Sequence, residues 1–373
     1  MEHATPSDTA LVTLAKCLAS EKPLLMVGAG LSKLVDYPLW RELLDELKCA
    51  LDSSVARNHE FLVGKLYDRY ADELIRLAKR PEDLVPFIRK RFGPQDGSPL
   101  FDPDVHLPLL ELPFCGVVTT NYDSVLEHAA TAHLAQEIPS GIDAGNTELS
   151  RLNCQPTDLC NQNHRTPVFD LLRRFACPEA RPYRNEVLHL HGHYDTPNSI
   201  ILTYSDYLAK YGPLLPGGKT EPSGNVPFHH KVIWSLLVSH PFVFVGFGME
   251  DPYFMKMQEI IRAEFRLGTG YIQARHFAVI PSHEVTPDLN KELMQSAILP
   301  VPYDLPEDFE DVETRYRRGL SDFLCSLSIR LGDFRKPPAE HPPAREPEIA
   351  GHRDQLHGEI SAREVTKRML DRR

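Results

Sequence analysis

Residues 23–32 read PLLMVGAGLS, a continuous apolar run that ends in a glycine turn. A strand buried on both faces of a parallel sheet has this pattern, because helices cover both faces and no position alternates toward water. Glycine permits the sharp reversal that must follow such a strand. The segment therefore predicts a buried strand over 23–27 and a turn over 28–32.

The same order of strand, turn and helix recurs along the chain. Residues 115–120 (CGVVTT) lead into Asn121-Tyr122-Asp123, and residues 242–245 (FVFV) lead into Gly246-Phe247-Gly248. Further short strands are predicted over 187–191, 200–203, 276–280 and 297–301. Because strands alternate with helices, we expect an α/β fold with a doubly wound parallel sheet, which binds its ligand in the crevice at the strand carboxyl ends.

The segments between these strands predict one catalytic domain over 1–332. Helical periodicity from about 40 to 112 predicts a helical lobe, and residues 132–186 predict an irregular insertion with a short helix over 168–175. A last helix is expected over 309–331. Prolines among charged residues then predict a linker and a polar tail over 333–373.

Composition restricts the class of protein. The chain has 373 residues, with 41 Lys and Arg against 52 Asp and Glu, a formal net charge of -11. This charge gives no field that attracts a phosphate backbone, so direct nucleic-acid binding is not expected. There is neither a signal-peptide pattern nor an apolar run of the roughly 20 residues that span a bilayer. We expect a soluble cytoplasmic protein with no membrane association.

Two turns carry polar groups toward the predicted crevice. Gly28-Ala29-Gly30-Leu31-Ser32 begins like a dinucleotide-binding turn, although Lys33 stands where the third glycine is expected. It favours either phosphate binding or a purely structural turn. Asn121 and Asp123 follow the second buried strand, where they favour either ligand binding or capping of the next helix. Both alternatives stay open at each turn.

Other motifs have simpler interpretations. His189, His191 and His193 alternate along one segment, but no metal-binding motif surrounds them, so no metal is expected. The cysteines near the insertion have no paired spacing; they are Cys154, Cys160 and Cys177. Residues 216–220 (PGGKT) resemble the end of a phosphate-binding loop, yet no buried strand precedes them, and they predict a surface loop.

Four motifs in order resemble the sirtuin family, and specifically its bacterial NAD-consuming members. They are Gly28 to Ser32 with Pro38, Trp40 and Arg41; Asn121 with Asp123; His191 with Gly192; and Gly246-Phe247-Gly248. The chain departs from the protein deacylases of that family because it lacks their zinc-binding cysteine pairs and has Leu39 where they carry Asp. The resemblance implies a Rossmann-like fold with NAD as substrate.

The resemblance also implies roles for individual residues. Asn121 would hold the ribose hydroxyls or the attacking water, Asp123 would lie near the nicotinamide pocket, and His191, with an ordinary pKa near 6.5, would take a proton. Further residues are expected to bind the rest of NAD: Gly28, Ala29, Gly30, Ser32, Trp40, Arg41, Thr119, Gly246, Phe247 and Gly248.

Three functions follow as hypotheses. The first is an NAD glycohydrolase that acts as the effector of an antiphage defence complex, as the resemblance implies. The second is a protein deacylase or ADP-ribosyltransferase, and the third is a non-catalytic sensor of NAD or ADP-ribose. A homo-oligomer is expected, and the resemblance suggests a HerA-type ATPase as a partner chain.

Overall fold

The structure is a computed structural model that describes residues 6–56, 60–94, 97–136, 155–176, 186–212, 226–249, 251–264 and 275–335. Seven strands lie within these residues: β1 (Leu24–Val27), β2 (Gly116–Thr119), β3 (Gln155–Asp158), β4 (Glu186–His189), β5 (Phe242–Val245), β6 (His276–Pro281) and β7 (Ile298–Tyr303). They form one sheet in the order β3-β4-β2-β1-β5-β6-β7, and every pairing is parallel.

Helices precede and follow these strands. In chain order they are α1 (Pro6–Ser20), α2 (Ala29–Ser32), α3 (Trp40–Ala50), α4 (Glu60–Val63), α5 (Tyr67–Arg76), α6 (Leu84–Phe92), α7 (Pro103–Glu111), α8 (Val125–Gln136), α9 (Arg165–Ala176), α10 (Tyr204–Tyr211), α11 (Phe228–Ser239), α12 (Pro252–Glu264), α13 (Pro287–Gln295) and α14 (Val312–Arg335). Within the described ranges, none is long and apolar enough to cross a membrane.

The predicted doubly wound sheet is confirmed. The chain builds β2, β4 and β3 on one side of β1, and then crosses to β5, β6 and β7 on the other side. The order of the strands reverses between β1 and β5, and the crevice expected of such a fold lies at the strand carboxyl ends beside this switch point. This crevice is where an open α/β sheet binds its ligand.

Both faces of the sheet are covered, which explains the uninterrupted apolar runs. Leu25 and Val27 of β1 pack in a core with α1, α7, α8 and α14. Leu24 and Met26 point to the other face, into a core with α9, α11, α12 and α13. A strand between two such layers has no position that faces water, so its sequence shows no alternation.

The helical lobe is smaller than the sequence predicts. Helices α3, α4, α5 and α6 share a separate core, to which Tyr70 and Leu74 contribute together with Tyr122 and Val125 after β2. Helix α7 packs instead against α8 and α14 on the sheet, through Val105 and Leu109. The predicted range of about 40–112 therefore joins two groups of helices, because periodicity shows that a segment is helical but not what it packs against.

Residues 155–176 correct part of the predicted irregular insertion: the strand at their start was not predicted, whereas the short helix predicted over 168–175 is confirmed. They form β3, which pairs with β4 at the edge of the sheet, and the 12-residue helix α9. The sequence of β3, Gln-Pro-Thr-Asp, has no apolar side chain other than proline, so it carries no strand pattern. Proline is tolerated there because β3 is an edge strand. The rest of the predicted insertion, except for the end of α8 and Glu186, lies outside the described residues.

Two other boundaries differ. Residues 200–203 do not form the predicted strand; Ile201 donates one backbone hydrogen bond to the His191 carbonyl, and Thr203 caps α10. Helix α14 continues to Arg335, past the predicted end of the domain at 332, and the compact unit also ends there. Residues 336–373 of the predicted linker and tail lie outside the described residues.

Candidate functional site

The turns after β1 and β5 are packed directly against each other. The Gly30 amide donates to the Gly246 carbonyl at 2.8 Å, and the Gly28 amide donates to the Val245 carbonyl at 3.1 Å. A Cβ atom on Gly28 would lie 2.5 Å from the Gly246 oxygen. These two glycines are thus required by the close approach of two backbones, and both of their amide donors are used within the protein.

Asn121 is the second residue after β2, and hydrogen bonds to the turn after β1 hold its side chain in place. Its side-chain amide donates to the Gly28 carbonyl at 3.1 Å and to Ser32 Oγ at 2.8 Å. Its backbone amide donates to Thr119 Oγ1 at 3.0 Å. Because both amide hydrogens are used, Oδ1 is the side-chain atom left for a ligand, and it accepts no hydrogen bond from the described residues.

Asp123 lies in the same network and also caps a helix. Its Oδ1 accepts a hydrogen bond from the Val125 amide at 3.0 Å at the start of α8, so the capping alternative is realised here. Burial raises the pKa of Asp123 to about 6, while the hydrogen bonds from Val125 and the Ser32 hydroxyl act to lower it. Ser32 therefore links the side chains of Asn121 and Asp123.

His191 lies beyond β4 among aromatic rings. Its Nε2 is 2.8 Å from the Tyr211 hydroxyl, and its ring meets the edge of Tyr207 at 5.3 Å between centroids. Burial lowers the pKa of His191 to about 3, so the ordinary value expected from the sequence is wrong and the ring is neutral at pH 7. Since Tyr211 occupies Nε2, Nδ1 is the ring atom available to a ligand.

The three histidines do not converge on one point. His189 Nε2 lies 2.7 Å from Glu127 Oε1, whereas His193 Nε2 lies 2.8 Å from Ser124 Oγ. Each imidazole therefore has its own partner. Among the described residues, no group of three or more His, Cys, Asp or Glu side chains could hold a metal ion.

Aromatic side chains from the helical lobe and the sheet meet beside His191. Trp40 of α3 contacts Tyr207 of α10 at 6.4 Å between ring centroids, and Tyr207 stacks on Tyr253 of α12 at 4.1 Å. Trp40 Nε1 is buried and has no hydrogen-bond acceptor within the described residues. The rings of Trp40, Tyr207 and Tyr253 therefore connect the helical lobe to the strand ends, and the Trp40 indole N–H is a donor without a partner among the described residues.

Asp251 belongs to this region and was missed by the sequence analysis. Its Oδ1 accepts hydrogen bonds from the Tyr253 and Phe254 amides, both at 2.9 Å, at the start of α12, and burial raises its pKa to about 6. Its Oδ2 lies 3.7 Å from His191 Nε2. In the sequence, Asp251 is followed by Pro252 after the turn that leaves β5. This pattern indicates the start of a helix, and it does not indicate a ligand-binding residue.

The remaining predicted residues lie around the same crevice. Thr119 is buried and donates to the Val27 carbonyl at 2.9 Å, which ties β2 to β1. Phe247 packs against Phe244 and Phe254, and Gly248 is exposed. Arg41 is exposed on α3. Of the noted cysteines, Cys160 is buried as a free thiol, whereas Cys154, Cys177 and the 216–220 loop lie outside the described residues.

Comparison with protein families identifies the domain that carries these groups. The model of the SIR2-like domain matches residues 116–301. The chain carries a SIR2-like domain. The match extends from β2 into β7 and contains Asn121, Asp123, His191 and the turn at 246–248, while the turn at 28–32 precedes it. Comparison with curated proteins gave no match.

A SIR2-like domain implies NAD binding, because such domains are NAD-dependent enzymes. The residues around these strand ends fit such a ligand. Asn121 Oδ1 and His191 Nδ1 can face ribose hydroxyls, and the Asp123 carboxylate can face a cationic ring. The Trp40 indole can donate to an oxygen of the ligand. The strand ends beside the switch point therefore supply two acceptors, one donor and, from ionised Asp123, a negative charge.

Proposed function

We propose that this chain is an NAD glycohydrolase that releases nicotinamide and ADP-ribose. The observation that carries the proposal is the side chain of Asn121. Its two amide hydrogens are committed to Gly28 and Ser32, which leaves Oδ1 fixed as an acceptor at the switch point of the sheet. Preorganised polar groups of this kind lower the barrier of a reaction because they need no reorganisation when charge develops.

The reaction is a hydrolysis. The bond between the nicotinamide nitrogen and ribose C1′ breaks, a water oxygen bonds to C1′, and one water proton is released. Nicotinamide leaves a cationic pyridinium as a neutral molecule, so its departure needs no general acid. The ribose then develops positive charge, as in other glycoside cleavages. An ionised Asp123 would favour that charge, and Asn121 Oδ1 would accept a hydrogen bond from the water or a ribose hydroxyl.

His191 would take up the released proton at Nδ1. For this role Nε2 must carry the ring proton and donate it to the Tyr211 oxygen. The low pKa of His191 makes it a weak base in the free protein. Its main contribution is therefore orientation of a ribose hydroxyl, with proton transfer as the water adds.

The direct test is to incubate the purified full chain with NAD and separate the products by chromatography. Nicotinamide and ADP-ribose in equal amounts, with no protein substrate present, are the expected result. A requirement for an acylated peptide would instead indicate a deacylase, and label transferred to protein would indicate an ADP-ribosyltransferase. Binding of NAD without any product would contradict hydrolysis.

The pH dependence of this activity is expected to follow Asp123. With a pKa of about 6, the carboxylate is mostly protonated at pH 5 and mostly ionised at pH 7, so nicotinamide release should rise by about tenfold over that interval. His191 is neutral throughout the interval. Asp123→Asn should keep the cap of α8 and lose this dependence.

Asp251→Asn is the matched control, because Asp251 also has a raised pKa and also accepts backbone hydrogen bonds at the start of a helix. It should retain the rise in rate between pH 5 and pH 7. A profile that becomes flat in Asp251→Asn and persists in Asp123→Asn would assign the titration to Asp251.

A non-catalytic sensor of NAD or ADP-ribose is the second candidate. The observation that favours it is His191, because burial lowers its pKa to about 3 and makes it a weak base, and its Nε2 contacts the Tyr211 hydroxyl. Binding does not require a base. Heat release on titration with ADP-ribose, together with stable NAD over the same time, would support the sensor.

We also propose that the activity serves antiphage defence, and that the chain acts as a homo-oligomer with a HerA-type ATPase as partner. The support is the resemblance described above, because an enzyme that consumes NAD must be restrained. We expect sedimentation of the purified chain as an oligomer. A strict monomer with full activity would contradict this assembly.

A further inference from the structure

A buried histidine and a buried carboxylate lie next to the backbone of Asn121. His189 is the last residue of β4, and its Nδ1 lies 2.8 Å from the Asn121 backbone oxygen. Its Nε2 lies 2.7 Å from Glu127 Oε1 on α8. Both side chains are buried. The imidazole therefore joins the loop after β2 to the helix that follows this loop.

The hydrogen-bond partners of His189 determine which of its ring nitrogens carries a proton. A backbone carbonyl can only accept a hydrogen bond, so Nδ1 of His189 must carry a hydrogen and donate it to Asn121. Glu127 occupies the other ring nitrogen. Burial acts to lower the pKa of His189, but the neighbouring Glu127 more than offsets it and the pKa is raised. The donor at Nδ1 is thus retained at neutral pH.

Packing alone does not explain this pair. The preceding residues of β4, Val187 and Leu188, are apolar and buried. Glu127 Oε2 is buried with no hydrogen-bond partner among the described residues, which is a cost to stability. Well-packed apolar side chains are often as stable as a buried ion pair, or more so. A polar pair kept in this place points to a requirement for orientation.

We propose that His189 is a positioning residue for Asn121: its Nδ1–H holds the Asn121 backbone so that Oδ1 faces the substrate. The inference rests on the proposed function and deepens it. Glu127 orients the imidazole through Nε2. His193 supports the other end of the same loop through Ser124, and its ring meets the edge of the His189 ring at 4.9 Å between centroids.

Two substitutions separate positioning from packing. His189→Asn places an amide nitrogen near the position of Nδ1, so it can still donate to the Asn121 carbonyl. His189→Gln places its amide nitrogen near the position of Nε2, so it can reach Glu127 but leaves the carbonyl without its donor. Both are polar and smaller than histidine, and asparagine is the smaller of the two. A loss of packing alone would therefore harm His189→Asn more than His189→Gln, which is the reverse of the order expected from positioning.

The expected result is a difference between these variants in turnover. His189→Gln should lower kcat for nicotinamide release by about 100-fold, as a small misplacement of a reacting group can, with a nearly unchanged KM. His189→Asn should retain most of the turnover at a similar thermal midpoint. Equal losses of kcat in the two variants would overturn the proposal. Losses of kcat that simply follow the decrease in thermal midpoint of each variant would also overturn it.

A measurement without activity keeps this test separate from that of the proposed function. In the wild-type chain, the ¹⁵N resonances of the His189 ring should show a protonated Nδ1; an unprotonated Nδ1 overturns the proposal even if both variants fail to fold. If the wild type releases no nicotinamide, the glycohydrolase has failed, and the side-chain amide signals of Asn121 decide instead. A change in His189→Gln but not in His189→Asn supports positioning, and no change in either overturns it.

Discussion

Asn121→Ala is expected to lower nicotinamide release by about 100-fold to 1000-fold, comparable to the loss of one oxyanion-hole donor. The substitution removes Oδ1, which is the free acceptor at the switch point. It also removes the hydrogen bonds to Gly28 and Ser32, at 3.1 and 2.8 Å, so the free energy of unfolding should fall by about 1–3 kcal/mol. Nicotinamide release and the thermal midpoint should be measured on one preparation.

Asn161→Ala is the matched control for this experiment. The Asn161 side chain accepts a hydrogen bond from the Asn163 amide at 3.0 Å, so it is a simple cap at a distance in sequence from the motifs. Its loss should cost about 1 kcal/mol and leave turnover unchanged. If Asn121→Ala behaves in the same way, with a lower thermal midpoint and full turnover, Asn121 is structural.

Gly246→Ala is expected to destabilise the fold by about 3–5 kcal/mol, a large part of the stability of an ordinary domain. Gly246 has a φ of +61°, which an L-residue adopts only with strain. An added Cβ would also lie 2.4 Å from the Leu31 nitrogen, a backbone atom that cannot turn away. Denaturant unfolding of the purified variant, or its absence from the soluble fraction, measures the effect.

Gly332→Ala tests the opposite expectation at a glycine with space around it. Gly332 lies near the end of α14, and an added Cβ meets no atom within 4 Å. Alanine is the better helix former, so this variant should be more stable by up to about 1 kcal/mol. Equal effects at the two positions would show that the turns after β1 and β5 tolerate movement.

Strands that carry their pattern in their own residues were predictable. β1, β2 and β5 each have four buried residues in sequence, because both faces of the sheet are covered. β3 was not predictable in this way. Its stability comes from pairing with β4 rather than from its own polar side chains, and pairing with a distant segment leaves no local signal.

Some features of the candidate site were also predictable from the sequence, and others were not. The sequence indicated Asn121, Asp123 and His191, since each follows a predicted strand and the carboxyl ends of parallel strands meet at one edge. It gave no sign that burial lowers the pKa of His191 to about 3, or that Asp251 approaches it. The burial of His191 and its distance from Asp251 depend on α10 and α12, which come from other parts of the chain.

By itself, the sequence determined the class of fold, the order of most strands and the residues at their carboxyl ends, because those features are written in short local patterns. The tertiary structure decided what these residues can do. Asn121 acquires its direction from Ser32, 89 positions earlier, and its support from His189, 68 positions later. Such contacts form only when the whole sheet is assembled, since a hydrogen bond between distant segments requires both of them to be held in place.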